Sequence, residues 1–430
     1  MRSAKPKVLH GVGGQPMIKH LLATVRAIGA VRTVIVVSPD MEGLEQHFDG
    51  ATVVVQDQAL GTGDAARRAS DALAGFDGTV LVLFGADPLV SEATLLRLAG
   101  AREAGERPAL VVLGFRPDDP GQYGRLVVDD AGRLDRIVEY WDATPKQRDI
   151  ALCNSGVMAV DGRQLFHLLG QLKNDNAKRE YYLTDIVRLA REGGLGCAVV
   201  EGDANELVGV DDRADLAEAE AVFQRRARAK AMAGGATLVD PESVWFSFDT
   251  VLGKDVVIEP NVFFGPGVRV SDGAHIKAFC HLEGCSIAGD AVIGPFARLR
   301  PGAVLAEGAR VGNFVEIKNA EIGAGAKVNH LTYVGDAIVG EKANIGAGTI
   351  TANYDGFRKA RTEIGANASI GSNVVLVAPV AVGAGATVGA GTVVREDVPA
   401  DALRVADTRS IEATRAGWSK TKRERAKGDT

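Results

Sequence analysis

The sequence predicts two domains of different class, an α/β unit followed by a parallel β-helix built of hexapeptide repeats. Three observations lead there. The chain has 430 residues, too many for one ordinary core. Its first half alternates β-rich runs with helical stretches, as an α/β domain does. From residue 256 to 395 an aliphatic residue instead returns every sixth position, which fits neither a helix nor a hairpin sheet and matches the hexapeptide coil.

The totals narrow the function classes. A formal net charge of -6 and few aromatic residues argue against nucleic acid as a partner. Cys153, Cys197, Cys280 and Cys285 form no CxxC pair and have no histidine at zinc-ligand spacing, so they read as buried free thiols in a reducing compartment. The chain opens without the pattern of a signal peptide, and a cytoplasmic location is expected. The uncharged run 364–394 is the one membrane suspect. Its glycines, Pro379 and six-residue period speak against a lipid-spanning helix, so no membrane insertion is expected.

Taken in order, strands are expected at 33–37, 52–55, 80–84, 110–115, 125–128 and 197–200, and helices at 95–104 and 183–191. Gly209 ends this region. Asp211 or Asp212 then caps a helix running to about Met232, with Leu216, Ala219, Val222 and Phe223 at helical spacing and Arg225, Arg226, Arg228 and Lys230 in its last turns, before Gly234 and Gly235 stop it. The expected division is 1–210 for the α/β domain, 211–235 for a linker helix, 236–400 for the β-helix and 401–430 for a polar tail.

The hexads form three runs: Ile258, Phe264, Val270, Ile276 and Leu282; Ile293, Leu299, Leu305, Val311 and Ile317; and Ile364, Ile370, Leu376, Val382, Val388 and Val394. Three hexads close one triangular coil, so residues about eighteen apart stack roughly 4.8 Å from each other. This puts Arg300 over Lys318 and Ser372 under Ala390. It also sends His275 and His281 to different faces, where they cannot share a metal. One excursion, 351–363, carries Asn353, Tyr354, Arg358, Lys359 and Arg361, and is expected to reach a ligand or a neighbour.

Chemistry-bearing residues cluster in this half. With Leu299 and Ile317 turned inward, Arg300 and Lys318 present two cations outward, a site suited to a phosphate or simply a solvated pair. His330 has a side chain suited to taking a proton from an ammonium nucleophile; a structural imidazole is the other reading.

Four stretches are closely similar to one family: Gly294-Pro-Phe-Ala-Arg-Leu-Arg-Pro-Gly302, Gly312-Asn-Phe-Val-Glu-Ile-Lys318, Asn329-His-Leu-Thr-Tyr-Val-Gly-Asp336 and Asn344-Ile-Gly-Ala-Gly-Thr-Ile-Thr-Ala-Asn-Tyr-Asp-Gly356. They resemble the bacterial bifunctional enzymes that acetylate glucosamine-1-phosphate and then uridylylate the product to UDP-N-acetylglucosamine. The resemblance covers nearly the whole chain and implies a left-handed β-helix. It implies that His330 is the base, and that Arg300, Lys318, Tyr333, Asn344, Asn353, Tyr354 and Lys359 hold the sugar phosphate. Ala347, Ser372, Ala390 and Arg409 would lie along the acetyl-CoA groove. A homotrimer with acetyltransferase sites shared between subunits is implied as well.

The first half is similar to Rossmann-like sugar-nucleotide uridylyltransferases through Lys5-Pro-Lys-Val-Leu-His10, Gln56, Leu60-Gly-Thr-Gly63, Tyr123-Gly-Arg125, Glu139, Asn154-Ser-Gly156 and Glu180-Tyr-Tyr-Leu-Thr-Asp185. The resemblance assigns Lys7 to the phosphates of UTP, and Gln56, Gly61 and Thr62 to its uracil. Gly124, Glu139, Asn154, Tyr182 and Thr184 would hold N-acetylglucosamine.

Three departures stand out. The family opens with a strand and a Leu-Ala-Ala-Gly-x-Gly-Thr-Arg-Met loop that cradles phosphates, and Met1 stands where the last residue of that loop falls. The expectation is therefore a Rossmann-like sheet lacking its first strand and glycine-rich loop, with two edges open. The Gly-Asp whose carboxylate binds Mg2+ reads Phe84-Gly-Ala-Asp87, with Ala86 in the metal position; Asp87 can substitute through a local shift of the loop, although a one-residue displacement usually turns a side chain the other way. The second ligand, usually Asn, is Asp211, also an oxygen donor. Lastly, Trp141 follows Glu139-Tyr140 where Lys is usual. The sequence alone leaves three readings open: both transferase activities, acetyl transfer alone, or a non-catalytic β-helix scaffold.

Overall fold

The computed structural model describes residues 1–41, 45–48, 50–406, 413–415 and 417. It falls into two compact units, Met1–Phe223 and Gln224–Thr430, and the division lies within the helix Arg213–Ala233 rather than at either end of it. That helix is less a free linker than a packed element. Ala219 and Val222 are buried with Val12, Met17 and Val210 of the first unit. Within the second unit, Ala227 and Ala231 pack against the apolar coil interior. Asp212 caps the start as expected, its Oδ1 accepting from the Ala214 and Asp215 amides at 2.7 and 3.1 Å.

In the first unit a six-stranded sheet has Cys197–Glu201, Leu110–Phe115, Cys153–Asp161, Arg125–Val128 and Leu134–Val138 in that order, and Thr79–Val82 also pairs with Cys153–Asp161. The long strand Cys153–Asp161 and the strand Leu134–Val138 are absent from the sequence expectation. The first carries Asn154-Ser-Gly156 near its start and its pairing shifts register between Val112 and Gly114; the second is broken up by Asp135 and Arg136. Val34–Val37 pairs in parallel with Thr52–Val55 to make a separate two-stranded sheet. Among the described residues nothing pairs with the other edge of Val34–Val37 or of Thr79–Val82, and all four residues of Thr79–Val82 are only half-buried despite their apolar sequence. These are the two open edges anticipated from the sequence.

The second unit is a coil of parallel two- to seven-residue strands. Every one of the sixteen hexad residues named above is buried, from 0% exposed at Ile258 to 3% at Val270 and Ile364. Cutting one to alanine there removes about 2–5 kcal/mol. The run 364–394, the membrane suspect, belongs to these strands, and among the described residues no helix is long and apolar enough to cross a membrane.

Register fixes what stacks on what. Arg298 pairs with Glu316 and Leu299 with Ile317, which sets Arg300 one coil from Lys318 as expected. Ile370 pairs with Val388, which sets Ser372 beside Ala390. His275 lies in the 11-stranded sheet and His281 in the 14-stranded one. The excursion is shorter than the sequence suggests: Ile350–Ala352 and Thr362–Ile364 are coil strands, with Thr351 and Thr362 buried. What leaves the coil is a small hairpin, in which Tyr354 bridges Lys359 and Asp355 Oδ1 accepts from the Phe357 and Arg358 amides at 2.7 and 2.6 Å. The coil's sheet also continues past residue 400, where Leu403–Val405 pairs with Thr387 and Val388 and then antiparallel with Ala413–Arg415.

Candidate functional site

In the coil, one corner gathers the expected base and most of the expected acetyl-CoA contacts. His330 ends the strand Lys327–His330 and pairs with Asn313 on the preceding coil. A ladder of backbone bonds continues the column: Leu331 N–H donates to Asn313 O at 3.0 Å, Gly348 to His330 at 3.3 Å, Asn373 to Ala347 at 2.7 Å and Gly391 to Ser372 at 2.8 Å. The same step repeats each time, so Asn313, His330, Ala347, Ser372 and Ala390 stand in one line along the coil. Small residues follow the imidazole on this line and leave a shallow track open beside it. Arg409 lies outside the described residues.

The His330 ring is exposed and its Nδ1 lies 2.8 Å from Asn313 Oδ1. An amide oxygen only accepts, so Nδ1 carries the hydrogen and Nε2 keeps its lone pair. That is the tautomer a base needs.

The adjacent face holds the cations. Arg300 is already paired: its Nη1 donates to Glu316 Oε1 at 2.8 Å, and that bond holds its guanidinium above the ordinary arginine value. Glu316 also attracts Arg298, at 3.7 Å. Lys318 pairs in register with Gly335. A Cβ at Gly335 would come within 2.2 Å of Tyr333 Oη, so the tyrosine hydroxyl lies over this glycine, in the column of Arg300 and Lys318. Only glycine allows that approach. Asn353 Nδ2 reaches Tyr333 Oη at 3.5 Å. Tyr354 and Lys359 are on the hairpin, Tyr354 exposed. Asn344 sits on the 11-stranded face, one coil from Lys327 and exposed. Sequence reasoning notes Glu316 only as an acid near Arg300, and misses Asn313 and Asp336, because their pairing to His330 and Asn353 runs across coils of seventeen residues rather than eighteen.

In the first unit the expected residues fall into three groups. Around Gln56, its Nε2 donates to Gly61 O at 3.1 Å and to Asp64 Oδ2 at 2.9 Å. Leu60 and Gly63 exchange backbone bonds of 2.8 Å with Tyr181, and Leu183 N–H donates to Thr62 Oγ1 at 3.2 Å. The segments 60–63 and 180–185 are thus fastened together. In the second group a Cβ at Gly124 would lie 3.5 Å from Glu139 Oε2 and 3.6 Å from Asn154 Cβ, so the backbone of Gly124 separates those two side chains. Thr184 Oγ1 donates to Glu139 Oε1 at 2.9 Å, yet burial still pushes the Glu139 carboxyl above the usual glutamate range. Tyr182 is buried close enough to Glu139 and Asp142 for their charges to act on its hydroxyl.

Lys7, Asp87 and Asp211 make the third group. Lys7 Nζ binds Asp211 Oδ1 at 2.7 Å. Asp87 is buried, and burial pushes its carboxyl up to about 7, against the pull of Lys7 and with a further push from Asp211. The displaced aspartate nonetheless points toward the segment that carries Asp211: a Cβ at Gly209 would lie 3.4 Å from Asp87 Oδ1. The reason is local: the strand stops at Val82, and Phe84-Gly-Ala-Asp87 is a turn in which the Asp87 amide donates to Phe84 O at 3.1 Å. Ala86 contributes its carbonyl to the Val210 amide at 3.1 Å instead. Among the described residues no group of three or more His, Cys, Asp and Glu side chains is placed to hold a metal. Asp87, buried, and Asp211, exposed, are both oxygen donors of the kind that suits one hard divalent cation taking its other oxygens from phosphates and water.

Comparison with known proteins agrees with both halves. A family model described as "MobA-like NTP transferase domain" matches residues 1–175, and one described as "Bacterial transferase hexapeptide (six repeats)" matches residues 361–396. A "Bifunctional protein GlmU" of Rhodospirillum rubrum is 60% identical over 419 residues, covering 97% of this chain and 93% of its own length. The protein of the same description from Paramagnetospirillum magneticum is 56% identical over 419 residues, with the same coverage of 97% and 93%. That of Zymomonas mobilis is 47% identical over 431 residues, covering 99% of this chain and 95% of its own.

Proposed function

The chain belongs to the bifunctional GlmU family, and from that premise we propose that it catalyses two successive transfers. Its coil moves the acetyl group of acetyl-CoA to the amine of glucosamine-1-phosphate. Its first unit then moves the uridylyl group of UTP to the N-acetylglucosamine-1-phosphate so formed.

The observation that carries the first reaction is the Asn313–His330 pair at 2.8 Å beside the Arg300, Lys318 and Tyr333 column. Arg300 and Lys318 take the phosphate, Tyr333, Asn344, Asn353, Tyr354 and Lys359 surround the sugar, and Ala347, Ser372 and Ala390 let the acetyl-CoA arm lie close to the coil. His330 Nε2 accepts a proton from the ammonium, the freed nitrogen forms a bond to the thioester carbonyl carbon, and the carbon–sulfur bond breaks. That first proton passes from His330 to solvent; the nitrogen gives up a second proton as the amide forms, and it leaves on the sulfur as the thiol.

For the second reaction, Gln56, Gly61 and Thr62 hold the uracil, and Gly124, Glu139, Asn154, Tyr182 and Thr184 hold N-acetylglucosamine-1-phosphate. Its phosphate oxygen attacks the α-phosphorus of UTP and pyrophosphate departs, while Lys7 offsets charge on the phosphates. Asp87 and Asp211 would hold Mg2+, which when bound neutralises phosphate charge.

The same reading includes a cytoplasmic homotrimer. Phe279, Phe296 and Phe314 stack at 4.8 and 5.2 Å along the corner next to the His330 column, and Leu331 continues the line. All four have left-handed backbone, between φ 51 and 62, and are 46 to 62% exposed. Bulky residues in that conformation are uncommon, and an exposed apolar line of them suits contact with another copy.

The test is one preparation assayed twice: thiol release from acetyl-CoA with glucosamine-1-phosphate, and pyrophosphate release from UTP with N-acetylglucosamine-1-phosphate and Mg2+. Both are expected. Thiol release without pyrophosphate release would leave the coil reaction alone standing.

A further inference from the structure

Asp336 has no role in either transfer as described so far, yet it sits among the side chains assigned to the sugar phosphate. It follows Tyr333 by three residues on the strand Tyr333–Val339 and has left-handed backbone, φ 49, a conformation that Asp and Asn tolerate better than most. Its two carboxylate oxygens are both used. Oδ1 accepts from Asn319 Nδ2 at 2.6 Å, and Oδ2 accepts from Asn353 Nδ2. Burial pushes this carboxyl up, but the Asn319 and Asn353 bonds and the charges of Lys318 and Lys359 together bring it below the usual aspartate range. Asp336 is thus an anion bonded to Asn319 and Asn353, the second of which is assigned to the sugar phosphate.

We propose that Asp336 is a positioning residue that clasps the root of the 353–361 hairpin to the coil and presents the Asn353 amide oxygen to a hydroxyl of the sugar phosphate. The chemistry of the contact fixes the orientation of the amide. A carboxylate only accepts, so Asn353 must turn Nδ2 to Asp336 and leave Oδ1 as an acceptor for a ligand O–H. The clasp also has leverage over the hairpin. Ala360 N–H donates to Asn353 O at 3.0 Å, so the residue held by Asp336 is the one that closes the hairpin's base. Tyr354 and Lys359, paired just beyond it, take their place from the same anchor.

The role in catalysis rests on the acetyl-transfer reading, and two measurements on the full chain separate them. Asp336→Gly removes the carboxylate and keeps the left-handed backbone; Asp336→Asn keeps size and backbone but has one acceptor oxygen for two donors. Both are compared with wild type for tryptic cleavage at Arg358, Lys359 and Arg361, mapped by mass, and for acetyl-transfer kinetics. Asp336→Gly should be nicked in the hairpin about tenfold faster and should raise KM for glucosamine-1-phosphate about tenfold, with KM for acetyl-CoA unchanged, the size expected for one lost charge-assisted bond. Asp336→Asn should fall between the two. Unchanged nicking together with unchanged KM for the sugar phosphate overturns the proposal, and so does an equal loss toward both substrates. If wild type itself releases no thiol, the acetyl-transfer reading fails, and the nicking rates still decide whether Asp336 holds the hairpin.

Discussion

His330 and Asn313 stand one coil apart with the imidazole Nδ1 2.8 Å from the amide oxygen, so the ring is set in one tautomer by a residue seventeen positions earlier. Asn313→Ala removes that restraint and leaves the ring free to turn or to place its hydrogen on Nε2. The turnover number for acetyl transfer should fall about tenfold to a hundredfold, a part of the roughly 10²- to 10⁴-fold that a positioned base contributes. KM for acetyl-CoA should hold. Asn313→Asp should act differently: a carboxylate there favours the charged ring, so the acid limb of the rate profile should move to higher pH. A profile identical to wild type in both variants would remove Asn313 from the mechanism.

Arg300 and Glu316 form a second such pair, at 2.8 Å, and their variants should be non-additive. Arg300→Ala should weaken sugar-phosphate binding roughly tenfold or more, as expected when a charge-assisted bond is lost. Glu316→Gln keeps the shape and lets the guanidinium wander, so a smaller loss is expected. The double variant should be no worse than Arg300→Ala. Calorimetric titration with glucosamine-1-phosphate reads all three, and strictly additive losses would mean that Glu316 does not act through Arg300.

The coil was legible in the sequence because one residue in six must face a narrow interior, and nothing else in the chain imposes that period. Arg300 over Lys318 followed at once. Asn313 and His330 did not, since the coils around them close in 17 residues and the one holding the hairpin takes 25, as the pairs Glu316–Tyr333 and Asn344–Ser369 record. Each change of step shifts what stands beside what. In the first unit the binding segments were readable as short motifs, but their joining was not: the bonds between Leu60 and Tyr181, or Thr62 and Leu183, are made across more than a hundred residues of chain. Asp87 could be read only as a ligand that needs a local shift of the loop, since motif spacing does not show that its segment is a turn.

Glu139 gives the first unit a pH signature. Burial raises its folded-state pKa above the usual glutamate range, so the folded form holds its proton more tightly than the unfolded chain does. The resulting stability is full below the unfolded value, about 4.3, and is lost as the pH rises through the higher folded value. Glu139→Gln, which keeps an oxygen to accept from Thr184, should therefore raise the melting temperature of the first unit at pH 8 and make little difference at pH 4. It should also weaken sugar binding. A gain of the same size at both pH values would show that the charge is not its source.

The stacked phenylalanines offer a test of assembly that leaves the interior of the coil alone. Phe296 and Phe314 are 46 and 57% exposed, so Phe296→Asp or Phe314→Asp costs a single chain little. If this line is where copies meet, a buried aspartate there is costly, and sedimentation should find lighter species at concentrations where wild type is trimeric. Acetyl transfer should fall with the loss of assembly, since the hairpin and the His330 column then lack their neighbour. Trimers of undiminished stability in both variants would place the contact elsewhere on the coil.

Asp87 and Asp211 decide whether the displaced carboxylate serves the first unit. The two are close enough for charge repulsion to help push Asp87 up to about 7, and Lys7, bonded to Asp211, is the opposing charge. If both hold Mg2+, Asp87→Ala and Asp211→Ala should each abolish Mg2+-dependent pyrophosphate release while acetyl transfer, made by the other unit, continues at the wild-type rate. Asp211→Asn keeps an oxygen donor and should retain a measurable part of the activity, at a higher Mg2+ requirement. Ala86→Asp is the complementary experiment. Its side chain starts from a residue whose carbonyl is bound to the Val210 amide, so it should not replace Asp87 in the Asp87→Ala background. Full recovery in that double variant would instead put the metal at position 86 and make Asp87 a bystander.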